Sequence, residues 1–385
     1  MKKLLLLAPL ASVFCPAAEL TLTATNPLDS ARSLETLELS AEQLSALEAD
    51  SLHNVHVKDS AGTELVGQAV DTDGDPLRRP DLFIFQSDFG PGETKTFTLS
   101  TGRKPVFSKD QWKAYGRFNR ERFDDFAWEN DRVAHRTYGA ALETWMGEPL
   151  ISSTIDVWSK RTPKLVINDW YLTEDYHVDH GEGADFYSAG PTRGCGGNGL
   201  WADDRLWTSR NFTHSKVLAN GPIRVLFELE YAPFRVGPIA VSETKRISLD
   251  AGSQLNQIRS TYTQLTRPHQ QTELTMGIGL KKVSGELVAN DPELGMLSKW
   301  EPISGNDGNQ GLAVLVDPSA WVKVTSDDLN HLLLAKVPAD GKIDYWAGSA
   351  WDKAGRITDA DAWQAHLKEV VARRSAPIEI TVNTP

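Results

Sequence analysis

The chain has 385 residues, with 52 acidic and 40 basic side chains and a formal net charge of -12 at pH 7. Hydrophobic residues make up 40% of the chain, enough for a sizeable core, which excludes an intrinsically disordered protein. The acidic excess argues against a nucleic-acid partner, because phosphate binding requires a basic surface, but a local arginine clamp can still hold an acidic sugar.

The first 18 residues have the features of a secretory signal peptide. Two lysines precede an apolar stretch over residues 4–14, and small residues follow it. We therefore expect a periplasmic or secreted protein. The apolar stretch is too short to span a bilayer, and no later run reaches about 18 apolar residues, so membrane insertion is not expected.

Residues 19–101 predict a smaller N-terminal β region. Residues 20–25 alternate apolar with polar side chains, and residues 82–85 and 96–99 are rich in β-forming types. Residues 41–49 have the composition of a short helix. Because turn residues separate these runs, we expect a small sandwich of antiparallel strands.

Three aspartates punctuate the turn that follows residue 70. Asp71, Asp73 and Asp75 resemble the start of a calcium-binding loop. However, Pro76 follows and no glutamate stands at the twelfth position of the loop. The pattern therefore predicts a solvated turn.

Residues 102–385 predict a large antiparallel β-sandwich that carries the site. Residues 102–206 are rich in tryptophan, charge and glycine, with weak alternation, which is typical of functional loops. From residue 207 onwards alternating strands return, most clearly over residues 225–231 and 274–280. Many strands without intervening helices favour stacked antiparallel sheets.

One helix and one strand are expected at the end of the chain. Thr358 is a candidate N-cap, with Asp361 in the capping-box position. The apolar residues that follow have helical spacing, and His366 among them is expected to pack in the core. A last strand is predicted over residues 378–382.

A single cysteine remains after removal of the signal peptide. Cys195 then has no disulfide partner, so stability must come from packing. A nucleophilic role would require a positioned base. Its place among Gly194, Gly196 and Gly197 favours a small residue in a tight loop, where glycines let the main chain approach a neighbour or a ligand closely.

The first block of candidate site residues covers 123–139 and mixes aromatic, acidic and arginine side chains. On a strand, Trp128 would share one face with Asn130 and Arg132. An aromatic ring packs on the apolar face of a pyranose, and arginine pairs with a carboxylate. The block predicts a sugar-binding surface, the alternative being an ordinary salt-bridged strand. Its other polar candidates are His135, Arg136 and Tyr138.

The second block covers 175–201 and combines histidines with acids and glycines. His177 and His180 beside several acids are metal-ligand types, although their spacing matches no zinc signature. Acid–base chemistry is an alternative, in which a histidine works with Tyr187. A buried polar network that steadies a glycine loop is the third. The acidic members of the block are Asp179, Glu182 and Asp185.

Three motifs resemble a known bacterial family. They lie at residues 125–139, 176–197 and 345–355, and the similarity runs over nearly all of the mature chain. The family has been catalogued as a domain of unknown function and is similar to the galactose-mutarotase-like β-sandwich superfamily. It includes a dehydratase of ulvan-derived oligosaccharides. The resemblance implies a supersandwich fold and β-elimination at a terminal uronic acid.

Such an elimination requires a neutralised carboxylate, a base for the C5 proton and an acid for the departing oxygen. Under the function that the resemblance implies, Arg132 and Arg193 would hold the carboxylate, with His177 as base and Tyr187 as acid. His135 and His180 are alternative bases, and Trp128 would support the sugar ring. Further substrate contacts are expected from Asn130, Arg136, Tyr138, Asp179 and Glu182.

Other functions stay open at this point. A glycoside hydrolase or a sugar epimerase would suit the same fold, and a non-catalytic sugar-binding protein would use the same aromatic side chains. The expected partner is an oligosaccharide that contains uronic acid. No cofactor is expected, although the second block would also accept a divalent cation, and the sequence predicts no particular number of subunits.

Overall fold

The computed structural model describes residues 18–75, 77, 79–147, 149–173, 175–265 and 271–383. The expected signal peptide, except for its last residue, lies outside the described residues, as does Pro76 of the aspartate turn. In this part of the chain, no helix is both long and apolar enough to cross a bilayer.

Seven strands build the N-terminal region, and the last strand of the chain joins them. These strands are β1 (Glu19–Thr25), β2 (Arg32–Ser40), β3 (Val55–Lys58), β4 (Glu64–Leu65), β5 (Gly67–Val70), β6 (Leu82–Phe89), β7 (Thr94–Thr101) and β26 (Glu379–Asn383). One sheet has the order β26–β1–β7–β3–β4 and the other β2–β6–β5. The C-terminal strand therefore belongs to this region by pairing with β1, although it follows the sandwich in sequence.

The two N-terminal sheets share a core of their own. Leu20, Leu22 and Ala24 of β1 are buried at every second position, as predicted for a strand with one face on a core. The helix expected over residues 41–49 is instead a single 3-10 turn, Ser45–Leu47. Its apolar residues Leu44 and Leu47 are three positions apart, which suits one tight turn packed on this core.

The remaining strands form three antiparallel sheets. They are β8 (Ala114–Asn119), β9 (Asp125–Asn130), β10 (Ala134–Thr137), β11 (Asp156–Lys160), β12 (Gly183–Ala184), β13 (Cys195–Ala202), β14 (Arg205–Trp207), β15 (Phe212–Ala219), β16 (Arg224–Val236), β17 (Ile239–Asp250), β18 (Leu255–Gln264), β19 (Thr275–Lys281), β20 (Leu287–Asp291), β21 (Met296–Pro302), β22 (Asn309–Val316), β23 (Trp321–Ser326), β24 (Asn330–Lys336) and β25 (Lys342–Trp351). The largest sheet has the order β15–β16–β17–β18–β25–β22–β21–β20. The other two have the orders β12–β11–β10–β9–β8 and β14–β13–β19–β24–β23.

One hydrophobic core joins these three sheets. It includes Trp128 from β9, Phe227 from β16, Ile278 from β19 and Tyr345 from β25. The eight-stranded sheet therefore packs face to face against both five-stranded sheets. This confirms the prediction of a mainly β protein with a large antiparallel sandwich, a smaller N-terminal β region and a C-terminal helix.

The segment expected to be functional loops contains well-ordered strands. All six residues of β9 and all five of β11 are buried, so neither strand has the alternation that would reveal it. The second face of their sheet is covered by the short helix α1 (Ile167–Trp170) and by Tyr171. The same segment also supplies the loops that surround the site.

The C-terminal helix α2 (Ala360–Ser375) packs on the outer face of the eight-stranded sheet through Trp363, Leu367 and Val371. His366 is largely buried, and its ring lies 5.7 Å from that of Trp363, as expected for a packing histidine. The predicted cap is wrong by one residue. Asp359, and not Thr358, accepts a hydrogen bond from the backbone amide of Ala362 at 2.8 Å.

The helix cap gives a direct stability test. Asp359→Ala is expected to lower the free energy of unfolding by about 1 kcal/mol, because an amide of the first turn loses its acceptor. Thr358→Ala is the matched control and is expected to change it by only a few tenths of a kcal/mol, roughly the effect of an ordinary surface substitution. Urea unfolding of the two variants measures both values, and equal losses would contradict the assignment of the cap.

Candidate active site

The two polar blocks of the sequence meet in one cleft. The cleft has a volume of about 190 Å³ and lies at the edge of the sheet formed by β8–β12. Chemically active side chains from both blocks line it, namely Arg136, Tyr138, His177, Asp185 and Tyr187, together with Arg122, which precedes the first block. This convergence is what the two-block hypothesis required.

A buried arginine joins the two blocks beneath the cleft. Arg136 of β10 donates from Nε to Asp156 at 2.8 Å, and its Nη2 lies 2.7 Å from Asp185. Its Nη1 lies 3.7 Å from Asp125. The hydroxyl of Tyr138 donates to Asp156 at 2.8 Å. The guanidinium of Arg136 thus faces three buried carboxyl groups.

Burial of this network shifts the proton affinities of its carboxyl groups. Burial raises the pKa of Asp125 to about 7 and that of Asp185 well above its usual range, although the guanidinium of Arg136 opposes both shifts. Buried carboxylates in excess of their cation are costly unless some of them are protonated. The network therefore holds protons near neutral pH and is positioned directly against the cleft.

His177 is placed as a proton acceptor. Its Nδ1 lies 2.8 Å from the backbone oxygen of Asp185, and because a carbonyl can only accept, Nδ1 carries the hydrogen. In the neutral ring Nε2 is then the basic nitrogen, and among the described residues it has no hydrogen-bond partner. The side chain is 54% exposed, and its ring lies 4.4 Å from that of Tyr176.

The phenol of Tyr187 is buried beside the cleft. Its side chain is buried at the wall of the cleft, and in the described part of the chain no group hydrogen-bonds its hydroxyl. Burial raises the pKa of this phenol well above its usual value, so the phenol keeps its proton. The ammonium of Lys281 lies 5.4 Å from the centre of the ring and hydrogen-bonds the backbone of Ser188.

Three residues of the first block lie in the core and not in the cleft. Trp128 is fully buried, and its indole donates to Asn256 at 2.7 Å, so it offers no platform to a sugar. The amide of Asn130 is buried and donates to the backbone of Asp250 and Ser253. His135 is stacked on Trp128, and burial lowers its pKa to about 3, which rules it out as a base at neutral pH.

The two arginines expected to hold the carboxylate also lie elsewhere. Arg193 is buried and donates to the hydroxyls of Ser152 and Ser153, and burial lowers its pKa to about 10. Arg132 lines a separate, smaller cavity. Its Nε lies 3.8 Å from Asp131. Neither guanidinium lines the cleft, which corrects the predicted carboxylate clamp.

The outer residues of the second block have structural roles. Asp179 accepts from the amides of Gly181 and Gly183 and pairs with Arg161, which fixes the turn. Glu182 forms an ion pair with Lys164 at 2.6 Å. His180 is exposed, and its Nε2 lies 3.2 Å from the backbone oxygen of Asp175. None of the three lines the cleft, which corrects the substrate contacts expected of Asp179 and Glu182 and the place of His180 as an alternative base.

Two glycines of the second block let the chain pass close to the backbone of β11 and of the residue before it. Gly183 has φ +115°, and a Cβ there would lie 2.0 Å from the backbone oxygen of Ser159. Gly194 has φ +60° and meets the backbone oxygen of Ile155 in the same way. Cys195 beside it is buried, its thiol lies 3.2 Å from the backbone oxygen of Gly348, and burial raises its pKa to about 12, which is inconsistent with a nucleophile.

Three residues of the site were not identified from the sequence. Arg122 lines the cleft, and its guanidinium lies 5.4 Å from the centre of the Trp145 ring. Lys281 approaches Tyr187 from β19, and Asp156 anchors Arg136. Asp156 and Lys281 each adjoin apolar strand residues. A charged residue beside such a run is unusual, and this signal could have identified them as candidate site residues.

The aspartate turn remains the one group of acidic side chains, within the described ranges, close enough to share a cation. Ligand atoms of Asp71, Asp73 and Asp75 lie within 4.8 Å of one another. Asp71 and Asp73 also accept hydrogen bonds from amides of the turn. None of the three lines the cleft.

Comparison with known proteins identifies the family. An uncharacterized protein from Formosa agariphila is 31% identical over 376 residues, which covers 94% of this chain and 93% of that protein. An alpha-mannosidase and a glycosyl hydrolase family 38 protein, both from Enterococcus faecalis, superpose with TM-scores of 0.48 at 8% and 10% identity. They match 97% of this chain, which spans about half of theirs, and at this level the likeness carries no functional argument. Residues 24–380 match the family described as "Domain of unknown function (DUF4861)", and the chain belongs to that family.

Proposed function

We propose that the protein is a carbohydrate-active lyase that removes water from the terminal uronic acid of an acidic, ulvan-like oligosaccharide. The observation that carries the proposal is the presence, in one cleft, of a histidine with an open basic nitrogen and a buried, protonated phenol. Elimination across C4 and C5 of a uronate needs such a base and such an acid. We further propose that the protein acts outside the cytoplasm, as its N-terminal segment predicts.

The reaction would transfer one proton from the sugar to the enzyme and a second proton from the enzyme to the departing hydroxyl. Nε2 of His177 takes the proton from C5, and the electron pair left behind forms the C4–C5 double bond. The bond between C4 and its oxygen breaks, and the departing hydroxyl takes the phenolic proton of Tyr187 to leave as water. Return of a proton from His177 to Tyr187 through solvent restores the enzyme.

The carboxylate of the sugar must be neutralised before the C5 proton becomes acidic. Arg136 already serves three carboxyl groups, so its charge is not available to substrate. Lys281, whose ammonium lies 5.4 Å from the centre of the Tyr187 ring, is the cation that we propose faces the carboxylate. It replaces Arg132 and Arg193 in the proposed mechanism.

Hydrolysis fits the cleft less well than elimination. A glycosidase of the common type needs two carboxyl groups on opposite sides of the scissile bond. Asp185 is the single acid among the described residues that line the cleft, and its carboxylate faces Arg136. A histidine and a phenol can transfer protons without a second carboxylate.

Ultraviolet absorbance of a conjugated uronate tests the proposal. The purified protein is incubated with oligosaccharides that end in a uronic acid, and the expected result is growth of this chromophore without an increase in reducing ends. An increase in reducing ends without the chromophore would show hydrolysis. Binding with neither change would show a sugar-binding protein.

Tyr187→Phe tests the role of the acid. We expect kcat to fall by about a hundredfold, the typical contribution of one proton-transfer group, with little change in KM. The hydroxyl has no hydrogen-bond partner among the described residues, so its loss should leave the melting temperature unchanged or slightly raised.

Tyr345→Phe is the matched control for this variant. The hydroxyl of Tyr345 donates to the backbone oxygen of Gly196 at 2.9 Å, in the core and away from the cleft. Its removal should cost about 1 kcal/mol of stability and leave kcat unchanged. A Tyr187→Phe enzyme with full activity would remove the phenol from the mechanism.

A further inference from the structure

A second, smaller cavity lies beside the cleft and has an excess of positive charge. It has a volume of about 20 Å³ and is lined by Arg132, Lys160, Trp351 and Arg356, among others. Lys160 is neutralised by Glu129 at 2.7 Å. Of the lining residues that the structure describes, none is acidic, so the two arginines leave a local positive charge in a protein whose net charge is -12.

The two arginines are poorly paired within the protein. Arg132 has Asp131 at 3.8 Å, and its buried Nε donates to no group in the described part of the chain. Arg356 is exposed and forms no ion pair with any described residue. Each guanidinium disfavours the charge of the other, and together with burial this lowers the pKa of Arg132. An anion between them would relieve this repulsion.

We infer that Arg132 and Arg356 form a subsite for one anionic substituent of the substrate, a carboxylate or a sulfate ester. Guanidinium groups match both by paired hydrogen bonds. A volume of about 20 Å³ is too small for a sugar ring, so only a terminal group of the substrate would enter the cavity.

The position of the cavity connects it to the cleft. Trp351 lines the cavity and Phe186 lines the cleft, and their ring centres lie 5.7 Å apart. One aromatic pair therefore separates the two spaces. An oligosaccharide whose terminal uronate occupies the cleft would cross this pair with its next unit and present an acidic group to the arginines. The assignment to a sugar rests on the proposed function.

Calorimetric titration of His177→Ala protein, whose turnover we expect to be slowed by about a hundredfold or more, tests the subsite with little conversion of the ligand. The ligands are trisaccharides with the same terminal uronate and either a neutral, a carboxylated or a sulfated second unit. In the parent His177→Ala protein we expect at least one charged ligand to bind more tightly than the neutral one, and the preferred charge identifies the group. Adding Arg356→Gln should lower the affinity for that charged ligand about tenfold or more, which is the scale of one hydrogen bond to a charged group. The affinity for the neutral ligand should not change.

Lys353→Gln is the matched control. Lys353 lies on the same turn, is exposed and hydrogen-bonds the backbone oxygen of Asn306 at 3.0 Å, but it does not line the cavity. The Lys353→Gln substitution removes the same charge as Arg356→Gln and should change the affinity for neither the charged nor the neutral ligand. Arg132→Gln should repeat the Arg356→Gln result. Equal affinity for all ligands, or equal losses in Arg356→Gln and Lys353→Gln, would overturn the subsite.

Failure of the subsite and failure of the lyase are separable. A preference for the charged second unit that depends on Arg356, in a protein that forms no chromophore, would keep the subsite and reject the elimination. Formation of the chromophore without that preference would keep the elimination and reject the subsite.

Discussion

Replacing His177 by alanine is expected to lower kcat for chromophore formation by about a hundredfold or more, because the base that takes the C5 proton is lost. The ring is half-exposed and hydrogen-bonds a single backbone oxygen, so the fold should not depend on it. The melting temperature is expected to stay within about 2 °C of the parent, as for a surface substitution of a large domain. The measurement is the rate of absorbance increase at saturating oligosaccharide.

His180→Ala is the matched control for this experiment. His180 lies three residues away on the same turn, is exposed, and does not line the cleft. Its removal should leave kcat unchanged, although both histidines were candidates from the sequence. Full activity in His177→Ala, or equal losses in the two variants, would remove His177 from the mechanism.

The strands that could be predicted from the sequence have one face on a hydrophobic core and the other face towards solvent. In β1, which was predicted, Leu20, Leu22 and Ala24 are buried at every second position, and this alternation of the side chains is the direct signal of such a strand. In β9 and β11 both faces are covered, so no alternation remains and the segment resembled loops. The pairing of β26 with β1 joins residues more than 350 positions apart in the chain, and local patterns carry no information on such a contact.

The site was predicted as two blocks but not as individual contacts. A tryptophan amid charges suggested a sugar platform, yet Trp128 faces the core, because a strand pattern assigns residues to two faces without showing which is covered. Arg136 was expected to contact the substrate. Its guanidinium instead forms ion pairs with buried carboxyl groups on a neighbouring strand and a loop. Only tertiary structure shows which charges are already paired.

The buried network beneath the cleft is expected to dominate stability in this region. Arg136→Gln removes the cation between Asp125, Asp156 and Asp185 and should cost about 3–5 kcal/mol, since three buried carboxyl groups lose the guanidinium that they face. Arg136→Lys keeps the charge but loses the planar set of donors, so its loss should be smaller than that of Arg136→Gln. Urea unfolding at pH 7 measures both variants.

Adding Asp185→Asn to Arg136→Gln should restore part of the lost stability, because one of the stranded carboxyl groups is then neutral at every pH. Additive losses in this pair of substitutions would show that the two residues are not coupled, despite their 2.7 Å separation. An Arg136→Gln variant within about 1 kcal/mol of the parent, roughly the effect of an average substitution, would contradict the network altogether.

The pH dependence of the Arg136→Gln loss follows from the directions of the carboxyl pKa shifts. In the folded protein the pKa of Asp125 is already raised to about 7, against about 3.9 in the unfolded chain, and removing the neighbouring cation raises it further. A folded-state pKa above the unfolded value gives stability that is present at low pH and lost as pH rises through the folded value. The deficit of Arg136→Gln relative to the parent should therefore be larger at pH 8, where the carboxyl groups must ionise without a partner, than at pH 5, where they take up protons. An equal deficit at pH 5 and pH 8 would mean that loss of the cation changes the protonation of no carboxyl group in this range, which would contradict the pKa of about 7 for Asp125.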